Sequence, residues 1–221
     1  MVKIVTDTTA GLPRDVAERY DIPVIPQVVS FGADSFLEGI DLDNAGFMAR
    51  LRAARELPKT AAPPVRLFVE AFERLVPLGE PILCIHPSSE VSGTVRSATV
   101  AAAEFPDADI RIVDTRVVGS PMATMVELAA RWTAEGVEAD AVVRHLESLI
   151  RRCRIYFLVA TLEYLAKGGR IGSASALLGT VLRVKPILTM RAGQVAPHDR
   201  QRTQSRALAR LKELVAEELP P

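Results

Sequence analysis

Aromatic side chains are scarce in this chain: seven Phe, three Tyr and one Trp make up 5% of its 221 residues. Stacking platforms for bases or sugars are correspondingly few. Cysteine is scarcer still, with Cys84 and Cys153 standing in separate apolar stretches and neither having a CxxC neighbour. Three scattered histidines do not complete a Cys/His metal cage, so no metal site is expected. Both thiols read as inert core residues suited to a reducing cytoplasm. Net charge is also absent, because 27 Lys and Arg balance 27 Asp and Glu. That balance argues against a wholesale binder of nucleic acid or membrane surface. No apolar run reaches the roughly 18 residues of a membrane span, and the opening Met1 to Pro13 has no signal-peptide h-region. A cytoplasmic globular protein is expected.

Apolar residues make up 48% of the chain, enough for a sizeable core. A folded protein of this length buries roughly 70% of its extended surface. The apolar residues are grouped in alternating short runs and amphipathic stretches. Strand patterns cover Val2 to Thr6, Val24 to Phe31, Pro81 to His86 and Ile110 to Val113. Helical spacing covers Asp43 to Arg55, Val65 to Leu75, the Ala-rich run to Glu104, Pro121 to Ala134 and Ala139 to Cys153. Strands alternating with helices call for a parallel sheet covered on both faces. Gly32 to Ser35 reads as the turn of a hairpin. From Ile155 the pattern changes. A strand to Ala160, a helical turn over Thr161 to Ala166 and a helix over Ala174 to Leu182 precede a hairpin around Arg191-Ala192-Gly193 and a last helix over Gln204 to Glu218. The expected fold is α/β: a three-layer parallel-sheet domain over 1–154, then a smaller, truncated α/β domain over 155–221.

Ligands of parallel sheets bind at the carboxyl ends of strands, where Asp7, Ser88 to Thr94 and Asp114 fall. Ser92-Gly93-Thr94 stands at a strand-to-helix turn. Its hydroxyl is either an ordinary N-cap or, with free amides and the positive helix end beside it, part of an anion site. The G-x-S-x-G elbow of hydrolases is absent, and a Ser nucleophile assisted by His86 lacks an identifiable third member. Asp7 and Asp114 either close Asx turns or, on adjacent strands, form a metal or acid–base pair. Thr60 lies in Leu57-Pro58-Lys59-Thr60-Ala61-Ala62-Pro63-Pro64, whose three prolines forbid a regular helix or central strand. That segment reads as a restrained loop that can hold a hydroxyl in place. Gly168-Gly169-Arg170-Ile171-Gly172 has neither dinucleotide-site nor P-loop spacing and reads as a turn. The zero total charge conceals an asymmetry. Between Leu165 and Lys212, ten cations, among them Arg170, Arg183 and Arg202, face one acid, Asp199, so that stretch is +9 and the rest −9. This is a basic face suited to an acidic partner or a phosphate.

In order along the chain, these motifs resemble the DegV family of fatty-acid-binding proteins. Lys3-Ile4-Val5-Thr6-Asp7-Thr8-Thr9-Ala10 with Leu12-Pro13 is similar to the family's K-I-V-T-D-S-T-A-x-L-P opening. Ile22 to Pro26 matches its second strand, and Thr60-Ala61-Ala62-Pro63 stands where it has T-S-Q-P. Ser88 to Thr94 is similar to S-S-x-L-S-G-T, Val113-Asp114-Thr115 to V-I-D-S, and Thr161 to Ile171 to T-L-E-Y-L-x-x-G-G-R-I. The resemblance implies a long-chain fatty acid, such as palmitate, in an apolar tunnel between two α/β domains, with its carboxylate on Thr60 and Ser92. The Gly93 and Thr94 amides can add to that carboxylate site. Burying about 14 methylenes at about 0.8 kcal/mol each gives roughly 11 kcal/mol before ordering costs, so the tail dominates affinity and the hydroxyls set orientation.

The resemblance further implies a carrier without catalytic residues or cofactor, presenting the acid to a separate ATP-using fatty acid kinase. Arg170 and Arg202 are then candidates to face that partner or the acyl phosphate. Ala61 and Ala62 replace the family's Ser and Gln. Usual members also continue with further strands, helices and a late His-bearing segment, so the tunnel is expected to be more open or covered by a second copy in a homodimer. Two other classes stay open: a Ser- or Asp-dependent acyl or phosphoryl enzyme, and a regulatory protein that has lost lipid binding.

Overall fold

The computed structural model describes residues 2–178 and 184–218. The chain divides into two compact units, Met1–Cys153 and Arg154–Pro221. In the first, β1 (Lys3–Asp7) leads through α1 (Arg14–Arg19) to β2 (Val24–Ile25) and a hairpin of β3 (Val28–Phe31) and β4 (Asp34–Leu37). Then come α2 (Asn44–Ala53), β5 (Lys59–Ala61), α3 (Val65–Leu75), β6 (Ile82–His86), α4 (Thr94–Ala102), β7 (Ile110–Asp114), α5 (Ser120–Ala134) and α6 (Ala139–Arg152).

The parallel sheet has the order β2-β1-β6-β7. A central parallel strand is covered on both faces, which is why every residue of Ile82-Leu83-Cys84-Ile85-His86 is buried. On one face α3 and α4 lay Phe68, Ala71, Phe72, Leu75, Ala98 and Ala101 against Val5, Ile82 and Cys84. The other face carries α5, packed on β1 and β6 with α6 behind it. Burial pushes the Cys84 thiol far above its usual range, which suits an inert core residue. Cys153, expected in the core, is instead half-buried at the end of α6.

The run Val24 to Phe31, expected as one strand, is two. Pro26 offers no N–H to a ladder, so β2 stops at Ile25 and the chain crosses into a separate antiparallel sheet ordered β4-β3-β5. Gln27 sits at that crossing and is buried. The proline-rich segment, expected as a loop, contributes β5, an edge strand in which Thr60 faces Val29. Its prolines lie outside the three paired residues, where a missing N–H costs no ladder bond.

The second unit holds β8 (Tyr156–Leu158), α7 (Glu163–Lys167), a 3-10 turn over Gly172–Leu177, β9 (Lys185–Arg191), β10 (Gln194–Gln201) and α8 (Gln204–Glu218). Its sheet is antiparallel in the order β10-β9-β8. Ala192 and Gly193, at φ 49° and 82°, close the β9–β10 hairpin in the left-handed region that two-residue turns require. Where an α-helix from Ala174 is expected, the chain makes the tighter 3-10 turn. Ala174 is fully buried with Leu188 and Val195. Gly172, at φ 53°, lies so close to β10 that a Cβ would stand 2.2 Å from the Val195 carbonyl oxygen. The expected helix end at Leu182, Arg183 of the basic stretch and residues 219–221 lie outside the described residues. Among the described residues, no helix is long and apolar enough to cross a membrane.

Candidate functional site

The parallel ladder between β1 and β6 pairs Val5 with Cys84; two residues further on, Asp7 comes level with His86. The Asp7 Oδ2 to His86 Nδ1 distance is 2.7 Å, and both side chains are fully buried. An ionised carboxylate only accepts, so Nδ1 donates. Among the described residues, Nε2 of the same buried ring has no hydrogen-bond partner, and Phe68 packs edge-on against the imidazole at 5.2 Å between centroids. The other Asp7 oxygen, Oδ1, accepts from the Thr9 amide at 3.0 Å and the Thr9 hydroxyl at 2.5 Å. It also accepts from Gln27 Nε2 at 3.1 Å. Gln27 Nε2 reaches on to Thr94 Oγ1 at 3.0 Å, and Thr94 Oγ1 lies 2.8 Å from Ser92 Oγ. One polar line thus runs from the strand ends to the start of α4.

Ser92, a candidate N-cap in the sequence, precedes the cap, which is Gly93. Its hydroxyl accepts from the Thr94 amide at 3.3 Å. A turn in which the Val91 and Ser92 amides both donate to the Ser88 carbonyl delivers it there. Thr94 is fully buried, whereas Ser92 and Gly93 are half-buried. The hydroxyl therefore marks the boundary between the buried line and the surface. First-turn amides lack intrahelical acceptors and stand at the positive end of the helix. A Cβ on Gly93 would lie 3.4 Å from the Ala62 Cβ and 3.4 Å from Arg96 Nη2. The segment carrying Thr60 therefore abuts this turn, with the exposed Arg96 guanidinium beside it. Thr60 itself is exposed on β5. Such an arrangement can hold an anion.

Asp7 and Asp114 do not form a pair, because β6 separates their strands. Asp114 closes its own turn, accepting from the Arg116 amide at 2.9 Å and the Ser89 hydroxyl at 2.6 Å. Among the described residues, no group of three or more His, Cys, Asp and Glu side chains could hold a metal ion. Among the described residues a Ser–His pair is not formed either, since His86 spends Nδ1 on Asp7 and its Nε2 meets no hydrogen-bond partner there.

Arg170 and Arg202 are both exposed in the second unit, and Arg170 Nη1 donates to the Gly168 carbonyl at 2.6 Å. Part of the basic stretch is neutralised by its one acid, Asp199, and by acids flanking it. Arg210 meets Asp199 at 3.1 Å, Glu213 at 3.1 Å and Glu217 at 2.7 Å. Lys167 pairs with Glu163 at 2.6 Å.

Two features escape the sequence reading. Gln27 is masked by its apolar surroundings, although a lone Gln inside Ile22-Pro23-Val24-Ile25-Pro26-Gln27-Val28-Val29 is itself the signal of a buried polar partner. The Asp7–His86 contact joins residues 79 positions apart, and only the strand order brings them level.

A family model described as "Uncharacterised protein, DegV family" matches residues 1–220. A DegV domain-containing protein of Halalkalibacterium halodurans is 37% identical over 218 residues, covering 98% of this chain and 77% of that one. A solved DegV family protein from Thermus thermophilus, described as binding fatty acid, superposes with a TM-score of 0.91 at 32% identity, covering 98% of this chain and 77% of its own. A stearic acid-binding protein from Eubacterium ventriosum superposes with a TM-score of 0.89 at 27% identity, covering 99% and 77%. The two-unit α/β fold, the ordered motifs and these likenesses agree: the chain belongs to the DegV family.

Proposed function

We propose that this protein binds a long-chain fatty acid, with the carboxylate on the Thr60 and Ser92 hydroxyls and the Gly93 and Thr94 amides and the acyl chain in an apolar tunnel. The observation that carries the reading is the half-buried Ser92 hydroxyl at the amino end of α4, anchored from behind by Thr94, Gln27 and Asp7. A carboxylate placed there meets hydroxyl donors, the positive amino end of α4 and the nearby Arg96 guanidinium. The fatty acids described for the Thermus and Eubacterium proteins support the same ligand class.

Native mass spectrometry of the purified protein tests this directly. A co-purified long-chain acid, or palmitate retained after addition, is expected. Losing one hydrogen bond to a charged group costs about 1.5–3 kcal/mol, so Thr60→Ala or Ser92→Ala is expected to weaken palmitate about tenfold or more. A wild-type protein that is empty and does not retain palmitate overturns the reading.

The same reading makes the chain a carrier rather than an enzyme. It has no G-x-x-x-x-G-K-S/T loop, so the phosphoryl group would come from an ATP-using fatty acid kinase. The exposed Arg170 and Arg202 are proposed to face that partner or the acyl phosphate. Arg170→Ala and Arg202→Ala are expected to lower acyl-phosphate formation while palmitate is retained. Unchanged formation overturns this extension and leaves the binding reading in place.

A further inference from the structure

We infer that Gln27 is a positioning residue that, through Thr94, sets the direction in which the Ser92 hydroxyl donates its proton, and so makes the site selective for an acceptor headgroup. This rests on the fatty-acid reading above. Asp7 Oδ1 can only accept, so the Gln27 amide must present its nitrogen there. The second N–H of the same nitrogen points to Thr94 Oγ1. Thr94 therefore accepts from Gln27 and keeps its own hydroxyl proton to donate.

Thr94 is fully buried, and a proton left without an acceptor there would cost the full desolvation of that group. Ser92 Oγ, at 2.8 Å, supplies the acceptor. Ser92 Oγ also accepts from the Thr94 amide. With both lone pairs occupied, the Ser92 hydroxyl has only its proton left to offer, and it offers it outward from a half-buried position. Four residues from β1, the Pro26 crossing, the turn before α4 and α4 itself thus convert the fixed polarity of one buried carboxylate into a donor at the rim. A carboxylate accepts that proton, whereas a headgroup that must itself donate to Ser92 finds no free lone pair.

The effect falls on the headgroup and not on the tail, so a comparison of headgroups on one tail isolates it. Dissociation constants for palmitate and for 1-hexadecanol are measured on the full chain and on Gln27→Leu and Thr94→Val, with folding checked by the fluorescence of Trp132, the single tryptophan. The wild type is expected to prefer palmitate. Both variants are expected to lose that preference severalfold, the loss falling mainly on palmitate, because the alcohol oxygen accepts the same proton only as a weaker, neutral partner. Thr94→Ser, which keeps the hydroxyl, is expected to recover what Thr94→Val loses. Should Gln27→Leu not fold, the near-isosteric Thr94→Val with its serine rescue carries the test.

An unchanged acid-to-alcohol ratio overturns the positioning role, as does an equal loss for both ligands, which is the mark of a merely structural effect. Those results leave the fatty-acid reading standing if the wild type holds palmitate. A wild type that holds neither ligand overturns both.

Discussion

Two polar networks in this molecule use the same kinds of side chain in opposite settings. At the sheet edge of the first unit, Asp7, His86, Gln27 and Thr94 are buried, and their contacts join residues 20, 67 and 79 positions apart. Around Arg210 in the second unit, three carboxylates gather within eleven positions, with Arg210 and Asp199 half-buried and Glu213 and Glu217 exposed. A buried donor without its acceptor loses its hydration for nothing, whereas exposed charges remain solvated and screened whatever their partner does. The first network therefore specifies geometry, and the second decorates a surface. Charge alone does not distinguish them; burial and sequence separation do.

The sharpest way to break this contrast is to remove its anchor. Asp7→Ala strips the acceptor from His86 Nδ1, from Gln27 Nε2 and from the Thr9 amide and hydroxyl at once. Leaving a buried donor without its acceptor costs about 1–3 kcal/mol, and with several stranded at once a loss of about 3–5 kcal/mol is expected in urea unfolding followed by Trp132 fluorescence. A cost below about 1 kcal/mol would place the edge network in the same class as the surface one. The second unit has its own sensitive point, which is steric rather than polar. Gly172→Ala sets a methyl against the Val195 carbonyl in a left-handed backbone. Strain and overpacking together suggest about 2–3 kcal/mol. Hydrogen exchange at the β9 amides is expected to accelerate accordingly, and unchanged protection would show that the 3-10 turn shifts freely away from β10.

Legibility in the sequence follows the same division between local and distant causes. Ile82 to Ile85 is readable because a strand covered on both faces needs an unbroken apolar run, and Ile110 to Val113 because apolar residues flank the single Arg111 of a short edge strand. The hairpin at Ala192-Gly193 and the helix Gln204–Glu218 are readable because turn chemistry and periodicity are local. The split at Pro26 is harder, since apolar residues continue through it into a different sheet. Thr60 on an edge strand is harder again, because prolines exclude a central strand without excluding an edge. At the site, Ser92, Gly93 and Thr94 announce themselves as a strand-to-helix turn. What stands behind them does not, because the alignment of Asp7 with His86 and of Gln27 with Thr94 depends on strand order. No spacing within the chain encodes that.

Asp114 sharpens the comparison inside the first unit, since it stands at the same sheet edge as Asp7 but only half-buried. Its partners, the Ser89 amide and hydroxyl and the Arg116 amide and guanidinium, belong to exposed or half-buried residues and can turn to water when it is lost. Asp114→Ala is expected to cost about 1–2 kcal/mol, in keeping with ordinary hydrogen bonds. A cost matching Asp7→Ala in the same urea experiment would mean that position along the sheet edge, not burial, decides the effect.

The smallest effect belongs to Arg210. Burial would by itself raise the Asp199 carboxyl, but hydrogen bonds from the Arg200 amide and the Arg210 guanidinium outweigh it and hold the group below its ordinary 3.8. A depressed carboxyl contributes stability that is in place above the ordinary value and is lost as pH falls through the lower folded-state value. Arg210→Met is therefore expected to lower the melting temperature of the second unit slightly at neutral pH and low salt. The difference from wild type should shrink on acidification through that window and on raising salt, which screens exposed pairs. Calorimetry at two pH values and two ionic strengths measures both trends. A large difference, indifferent to salt, would show that Arg210 is held as the buried groups of the first unit are, and the contrast between the two networks would fail.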